Sequence, residues 1–172
     1  MKSFFKIFCI VCLFLFSVPS FADNAKEGMR LFQAGKYQQA MTYFMKPDAQ
    51  KNPDVLNRIA YMYDKGFGVE KNLQTSVKWY KKAAEMGFKV AQFNLGLSYQ
   101  KGLGVPKDIN EAIKWYRKSA EQGYPSAESK MGYFTVKGKG IKQDFAQALK
   151  WYRLAAEHGD DRSYADIGIF YA

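Results

Sequence analysis

Cysteine is nearly missing from this 172-residue chain: there are two, Cys9 and Cys12, and a single histidine, His158. Both cysteines fall in a stretch that reads as a cleavable leader, so the remainder holds no thiol, which excludes disulfides and thiolate metal sites. One imidazole without cysteine cannot close a zinc site. His158 follows Glu157 at a helix end and is expected to be a solvated residue of the kind favoured there. No Gly-Lys-Ser/Thr phosphate loop occurs; Gly138-Lys-Gly140 is a repeat turn with no strand before it. No Ser-x-x-Lys pair is expected to supply a nucleophile with its base, and Ser129-Lys130 are adjacent, which is the wrong spacing. The expectation is therefore no catalytic residue, no cofactor and no metal.

Long apolar runs are also scarce. The one stretch of note, Ile7 to Phe16, is short of the roughly 20 residues a membrane span needs. Lys2 and Lys6 precede it, and Ser20-Phe21-Ala22 follows. A basic start, a short apolar core and small residues before a cut describe a secretory signal peptide over 1–22, cleaved after Ala22. Lipidation at either cysteine is disfavoured, because neither has the small residues and Leu before it. The chain is expected to be exported to a periplasm or secreted, with no transmembrane span in its mature form.

Acidic residues are the minority charge, 16 against 26 basic, for a net charge of +10. Two of the positive charges belong to the leader. A moderately basic surface attracts anionic polymers and head groups weakly and says nothing of fold. Export makes nucleic acid an unsuitable partner. Some 150 residues suffice for one continuous core, and no linker-like segment divides them.

What is abundant is repetition. Trp79, Trp115 and Trp151 recur every 36 residues, followed by Tyr80, Tyr116 and Tyr152. Gly66, Gly102 and Gly138, then Gly68, Gly104 and Gly140, keep the same period, as do Gly87, Gly123 and Gly159. Self-similarity at this spacing marks stacked units that bury their apolar faces against neighbours. From Asp108 to Gly123 apolar residues fall at 109, 112, 113, 116 and 120, which is helical spacing. Asp108 with Glu111, and Asp144 with Gln147, predict capping boxes, with Asn72 and Thr75 a weaker version. Gly87, Gly123 and Gly159 predict the helix ends. The partner helix precedes each, Pro53 and Pro125 standing at two of the starts. Gly96 and Gly132 predict close approach of the second helix.

The string Ala91-x-x-x-Leu95-Gly96-x-x-Tyr99-x-x-Gly102-x-Gly104-Val105-x-x-Asp108-x-x-x-Ala112-x-x-Trp115-Tyr116-x-x-Ser119-Ala120-x-x-Gly123 closely resembles the Sel1-like repeat family, relatives of tetratricopeptide repeats. The resemblance covers three units, 53–88, 89–124 and 125–160, plus the first helix of an incomplete fourth, 161–172. Upstream, 23–52 looks like a shorter tetratricopeptide-type helix pair without the two-glycine insertion. The resemblance implies an all-α, right-handed superhelical solenoid of helix-turn-helix repeats with a concave groove. Thr135 departs from the pattern, standing where Tyr63 and Tyr99 stand. The apolar end with Ile167, Ile169, Phe170 and Tyr171 is expected to be exposed or covered by a partner.

Carried over position by position, the family's groove-facing sites fall on Asn57, Tyr61 and Asp64, on Phe93, Leu97 and Gln100, and on Ser129 and Tyr133. Met29 and Phe32 fall there in the first pair. Tyr61, Phe93, Leu97 and Tyr133 would bury partner side chains, with Lys65, Lys101 and Lys137 pairing acidic groups at the edge. Aromatic anchors in a groove suit a peptide or helix of a protein partner. A ladder of Lys78, Lys81, Lys82, Lys114, Arg117, Lys118, Lys150 and Arg153 lies on the second helices. It is expected to be a solvated face in preference to a site for an anionic cell-envelope polymer. The expected function is a non-catalytic interaction scaffold. The alternatives are a β-lactam- or peptidoglycan-recognising envelope protein, suggested by cysteine-rich exported relatives of the family, and a peptidoglycan-associated regulator.

Overall fold

The computed structural model describes residues 21–168 and 170, with side chains from residue 24 onward. The expected leader over 1–22 lies outside the residues whose side chains are described. Nine α-helices and one short 3-10 turn, at Ala49–Lys51, make up the described residues, with no strand among them. They run α1 (Phe21–Gln33), α2 (Tyr37–Phe44), α3 (Pro53–Lys65), α4 (Leu73–Glu85), α5 (Lys89–Lys101), α6 (Ile109–Ala120), α7 (Pro125–Lys137), α8 (Phe145–Glu157) and α9 (Arg162–Gly168). The starts of α3, α5 and α7 are separated by 36 residues each, so the sequence period is carried into the backbone. Each helix packs on its chain neighbours, in the manner of a solenoid.

The ends of the helices follow from local chemistry. Asn72 accepts from the Thr75 amide at 2.8 Å, Asp108 from Asn110 and Glu111 at 2.9 and 3.0 Å, and Asp144 from Gln147 at 2.9 Å. Each such cap contributes about 1 kcal/mol. The reciprocal half of the expected capping box does not form. The Asp108 amide donates to the Tyr99 carbonyl at 3.0 Å, and the Glu111 carboxylate takes Lys114 instead. Asn72 and Asp144 likewise donate to the Tyr63 and Thr135 carbonyls. The turn between paired helices is thus closed by backbone, which is why Thr135 can replace a tyrosine there. Second helices end in paired bonds, Phe88 to Ala83 and Gly87 to Ala84 in the first repeat, with the equivalents in the next two.

The two glycines of each turn do different work. Gly102 ends α5 with φ of 73°, a left-handed conformation that favours glycine. Gly104 is where one repeat touches the previous one: a Cβ there would lie 2.3 Å from the Leu73 carbonyl oxygen at the start of α4. Gly96 and Gly132 answer to the second helix of their own repeat, since a Cβ would meet Tyr116 and Tyr152 at 2.9 Å. Burial pushes the Tyr80 and Tyr116 phenols far above their ordinary range, and that of Tyr152 up to about 12. Trp115 packs into the core of the preceding repeat with Leu56, Ala60 and Tyr80, and Trp151 packs against the next core in the same way. The tryptophans hold repeats together.

Candidate partner-binding clefts

The first helices α1, α3, α5, α7 and α9 form one face, and two clefts open among them. The first, about 410 Å3, is lined by Phe32, Tyr37, Asn57, Arg58, Tyr61, Phe67, Val90 and Asn94. It spans α1, α3 and α5. The second, about 340 Å3, spans α5, α7 and α9, with Phe93, Ser129, Lys130, Tyr133 and Arg162 in its lining and Tyr152 at its base.

Sequence reasoning placed Tyr61 and Tyr133 on this face, and both are exposed there, by 36% and 44%. Tyr61 sits edge-on to Phe32 and Phe67, and Tyr37 stacks on Phe67 at 4.7 Å, making one aromatic wall. Phe93 divides its surface. It packs against Tyr116 and Tyr124 at centroid distances of 5.5 and 5.2 Å and turns its remaining edge into the second cleft. It is therefore both a seam between repeats and a lining residue. Asn57 is buried and accepts from the Asn94 amide at 3.1 Å, so it forms the floor of the first cleft and is no free contact. Ser129 lines the second.

The remaining expected contacts lie elsewhere. Gln100 accepts the Tyr116 hydroxyl at 2.6 Å and is engaged in the core. Leu97 is half-buried and lines neither cleft. Lys65 pairs with Asp64 at 2.8 Å and lies over the Tyr61 ring, with Asp64 holding its ammonium above the ordinary range. Lys101 and Lys137 are exposed on the last turns of α5 and α7, outside both clefts. Met29 lies in the core against α2 and α3 neighbours, while Phe32 faces the first cleft.

Two cations that sequence reasoning did not assign to the site stand inside it. Arg58 places its guanidinium 5.1 Å from the Phe32 ring centre. Its Nε lies 3.4 Å from Asp54, yet it is buried and makes no hydrogen bond. Lys130 is half-buried, and burial, with the charges of Lys101 and Arg162 nearby, holds its ammonium below the ordinary lysine range. The signal was available: Arg58 and Lys130 flank the groove positions Asn57 and Ser129 at one step in the same repeat register.

His158 is exposed at the end of α8, as expected, but it also has a partner that the sequence did not reveal. Its Nδ1 lies 2.9 Å from both carboxylate oxygens of Glu128, which is buried at the start of α7. In the preceding repeat the same two positions are Gln92 and Gln122, joined amide to amide at 2.7 Å. The basic ladder is exposed as expected, with Lys82 over Trp79 and Lys118 over Trp115 at 4.3 and 4.5 Å. A Ser-x-x-Lys spacing does occur, at Ser98 and Lys101, contrary to the sequence reading. The Ser98 hydroxyl is buried and donates to the Asn94 carbonyl at 3.0 Å, while Lys101 is exposed, so no activated serine results. Among the described residues no cluster of three or more His, Cys, Asp or Glu could hold a metal ion, and no helix is long and apolar enough to cross a membrane.

At the C-terminal end Phe145 is 55% exposed and, with Val136, Tyr152, Asp166 and Phe170, lines an apolar hollow. Ile169 and Tyr171, expected to belong to this end, lie outside the described residues.

Comparison with known proteins accords with this architecture. A family model described as Sel1 repeat matches residues 53–88, 89–124 and 125–160. A solved Sel1 repeat protein from Oxalobacter formigenes is 62% identical, with a TM-score of 0.85; the match covers 87% of this chain and 59% of that one. A protective antigen present in uropathogenic Escherichia coli strains, displaying an SLR fold, is 34% identical with a TM-score of 0.83, over 90% of this chain and 34% of the antigen. A sel1-like repeat-containing protein of Acanthamoeba polyphaga mimivirus is 42% identical over 48 residues, 27% of this chain and 9% of the viral protein. This chain is thus shorter than each of these relatives.

Proposed function

Because the chain belongs to the Sel1 repeat family, we propose that it is an exported, non-catalytic scaffold holding a peptide or helix of a partner protein across its first-helix face. The carrying observation is the pair of clefts with exposed tyrosines, Tyr61 and Tyr133, among first helices whose other large apolar side chains are mostly packed. An aromatic side chain offered at a cleft gains buried area on binding at little cost in conformational freedom. Export is supported by the leader-like start.

Affinity capture from cell-envelope extract tests the reading. Tyr61→Ser with Tyr133→Ser removes both anchors without entering the core, so capture is expected to be lost while the helical circular dichroism is unchanged. Capture retained by the double variant would sink the groove model. Phe93→Ser is a poorer probe, because Phe93 also seals Tyr116 and Tyr124. Fractionation of cells expressing the full chain tests export: the expected product starts at Asp23 outside the cytoplasm, and an intact chain confined to the cytoplasm would overturn it.

A further inference from the structure

Arg58 and Lys130 stand 72 residues apart, as do Asn57 and Ser129, Tyr61 and Tyr133, Val90 and Arg162, and Asn94 and Asp166. The first of each pair lines the first cleft and the second lines the second. Position for position, one site is presented twice, two repeats apart. The repeat between them cannot offer a third copy, because Asn94 replaces the cation and bonds to Asn57, and Leu97 replaces the tyrosine. We propose that the two clefts act together on one extended acidic peptide segment, each receiving a carboxylate side chain beside an apolar or aromatic one. This rests on the scaffold reading above and names the chemistry of its partner.

Charge complementarity carries the choice of ligand. The Arg58 side chain is 38% exposed at the rim of an aromatic wall and its enclosed Nε makes no hydrogen bond; among the described residues the carboxylate within 4.0 Å of it is Asp54, at 3.4 Å. Among the described residues no carboxylate comes within 4.0 Å of Lys130. Asp160 and Asp166 share its cleft, but neither comes within 4.0 Å of its ammonium. A peptide carboxylate would relieve the mutual repulsion of Lys130, Lys101 and Arg162. The geometry also sets a spacing. Packed helices lie about 8–10 Å apart, so α3 and α7, with α5 between them, hold the sites on the order of 20 Å apart. An extended chain covers that distance in about six residues. Joining two weak contacts on one peptide makes the second intramolecular, with its strength set by whether the linker spans the sites.

The test uses fluorescein-labelled, C-terminally amidated peptides carrying two Glu-Phe pairs separated by neutral Gly/Ser spacers of zero to ten residues, titrated with the purified protein by fluorescence anisotropy. Affinity is expected to peak when the pairs are about six residues apart. Changing either Glu to Gln, or substituting Lys130→Met or Arg58→Met, is expected to lower it about tenfold and flatten the spacing dependence. Lys130→Met carries the test if Arg58→Met disturbs folding by circular dichroism. A flat spacing profile, or affinity indifferent to both cation substitutions, overturns the inference, as does equally tight binding of polyglutamate without a spacing optimum. Peptide binding lost in Tyr133→Ser but indifferent to Lys130→Met and Glu→Gln overturns the acidic ligand alone and leaves the scaffold reading standing.

Discussion

Repeats 89–124 and 125–160 share a backbone and differ in what they bury. In the first, Gln92 and Gln122 join as neutral amides; in the second, Glu128 and His158 occupy the same places as an ionisable pair. The cleft positions differ in parallel, Asn94 and Leu97 in one against Lys130 and Tyr133 in the other. Where a position carries the frame it is kept, as with Gly96 and Gly132 against Tyr116 and Tyr152. Where it meets a partner within the protein, both members change together; where it faces a cleft, it varies alone. The lesson is that departures from a repeat have two causes, compensation inside and recognition outside, and only contacts separate them.

The sharpest way to break the shared frame is Gly104→Ala. The added Cβ would press on the Leu73 carbonyl at 2.3 Å in a residue with φ of 72°, and a cost above about 3 kcal/mol is expected from overpacking plus strain. Gly140→Ala is expected to cost less, because the nearest atom it meets is the movable Ile113 side chain at 2.8 Å. Urea unfolding of both variants checks the order; equal losses would show that the two junctions are not distinguished by backbone contact.

Next comes the pair that differs. His158→Ala leaves the Glu128 carboxylate buried without its partner, and a loss of about 2 kcal/mol is expected, below the range for a fully buried pair because His158 is partly exposed. Gln122→Ala in the earlier repeat should cost about 1 kcal/mol, since a neutral amide is left behind. Converting the pair outright, Glu128→Gln with His158→Gln, should recover most of the loss. A double variant as unstable as His158→Ala would mean that the two repeats do not share an interchangeable contact.

The smallest expected effect is on the cleft. Lys130→Met removes a half-buried cation whose charged form folding disfavours, so at neutral pH it should stabilise by less than about 1 kcal/mol, solvent screening limiting the gain. The sign follows from linkage. The folded-state pKa is depressed, so the unfolded chain holds the proton longer, and stability of the parent rises with pH through that window towards 10.5. The advantage of the methionine variant should therefore shrink as the solution becomes alkaline. An advantage that grows with pH would contradict the placement of Lys130.

Much of the architecture was legible in residue order. Helix starts at Pro53, Asp108, Pro125 and Asp144, and the closing glycines, depend on contacts within a few residues, which spacing alone reveals. The capping box misled because its reciprocal bond competes with the Tyr99 carbonyl, nine residues back. The partner of His158 was not legible because Glu128 lies thirty residues before it, with no local signature. The cleft was half legible: Tyr61 and Tyr133 fell on groove-facing positions through the family resemblance, whereas Lys130 drew notice only as the neighbour of Ser129.

Residue order by itself determined the helices, their 36-residue period and the close approaches at glycine, because each is enforced by local hydrogen bonding or by the room one side chain leaves. Only the tertiary structure decided which variable residues are spent inside and which are offered outward. Asn57 and Gln100 are taken by Asn94 and Tyr116, while Tyr61, Lys130 and Tyr133 are left facing two clefts. The reason is that satisfaction of a polar group or burial of a ring is settled by neighbours from other helices, and those neighbours meet only when the repeats stack.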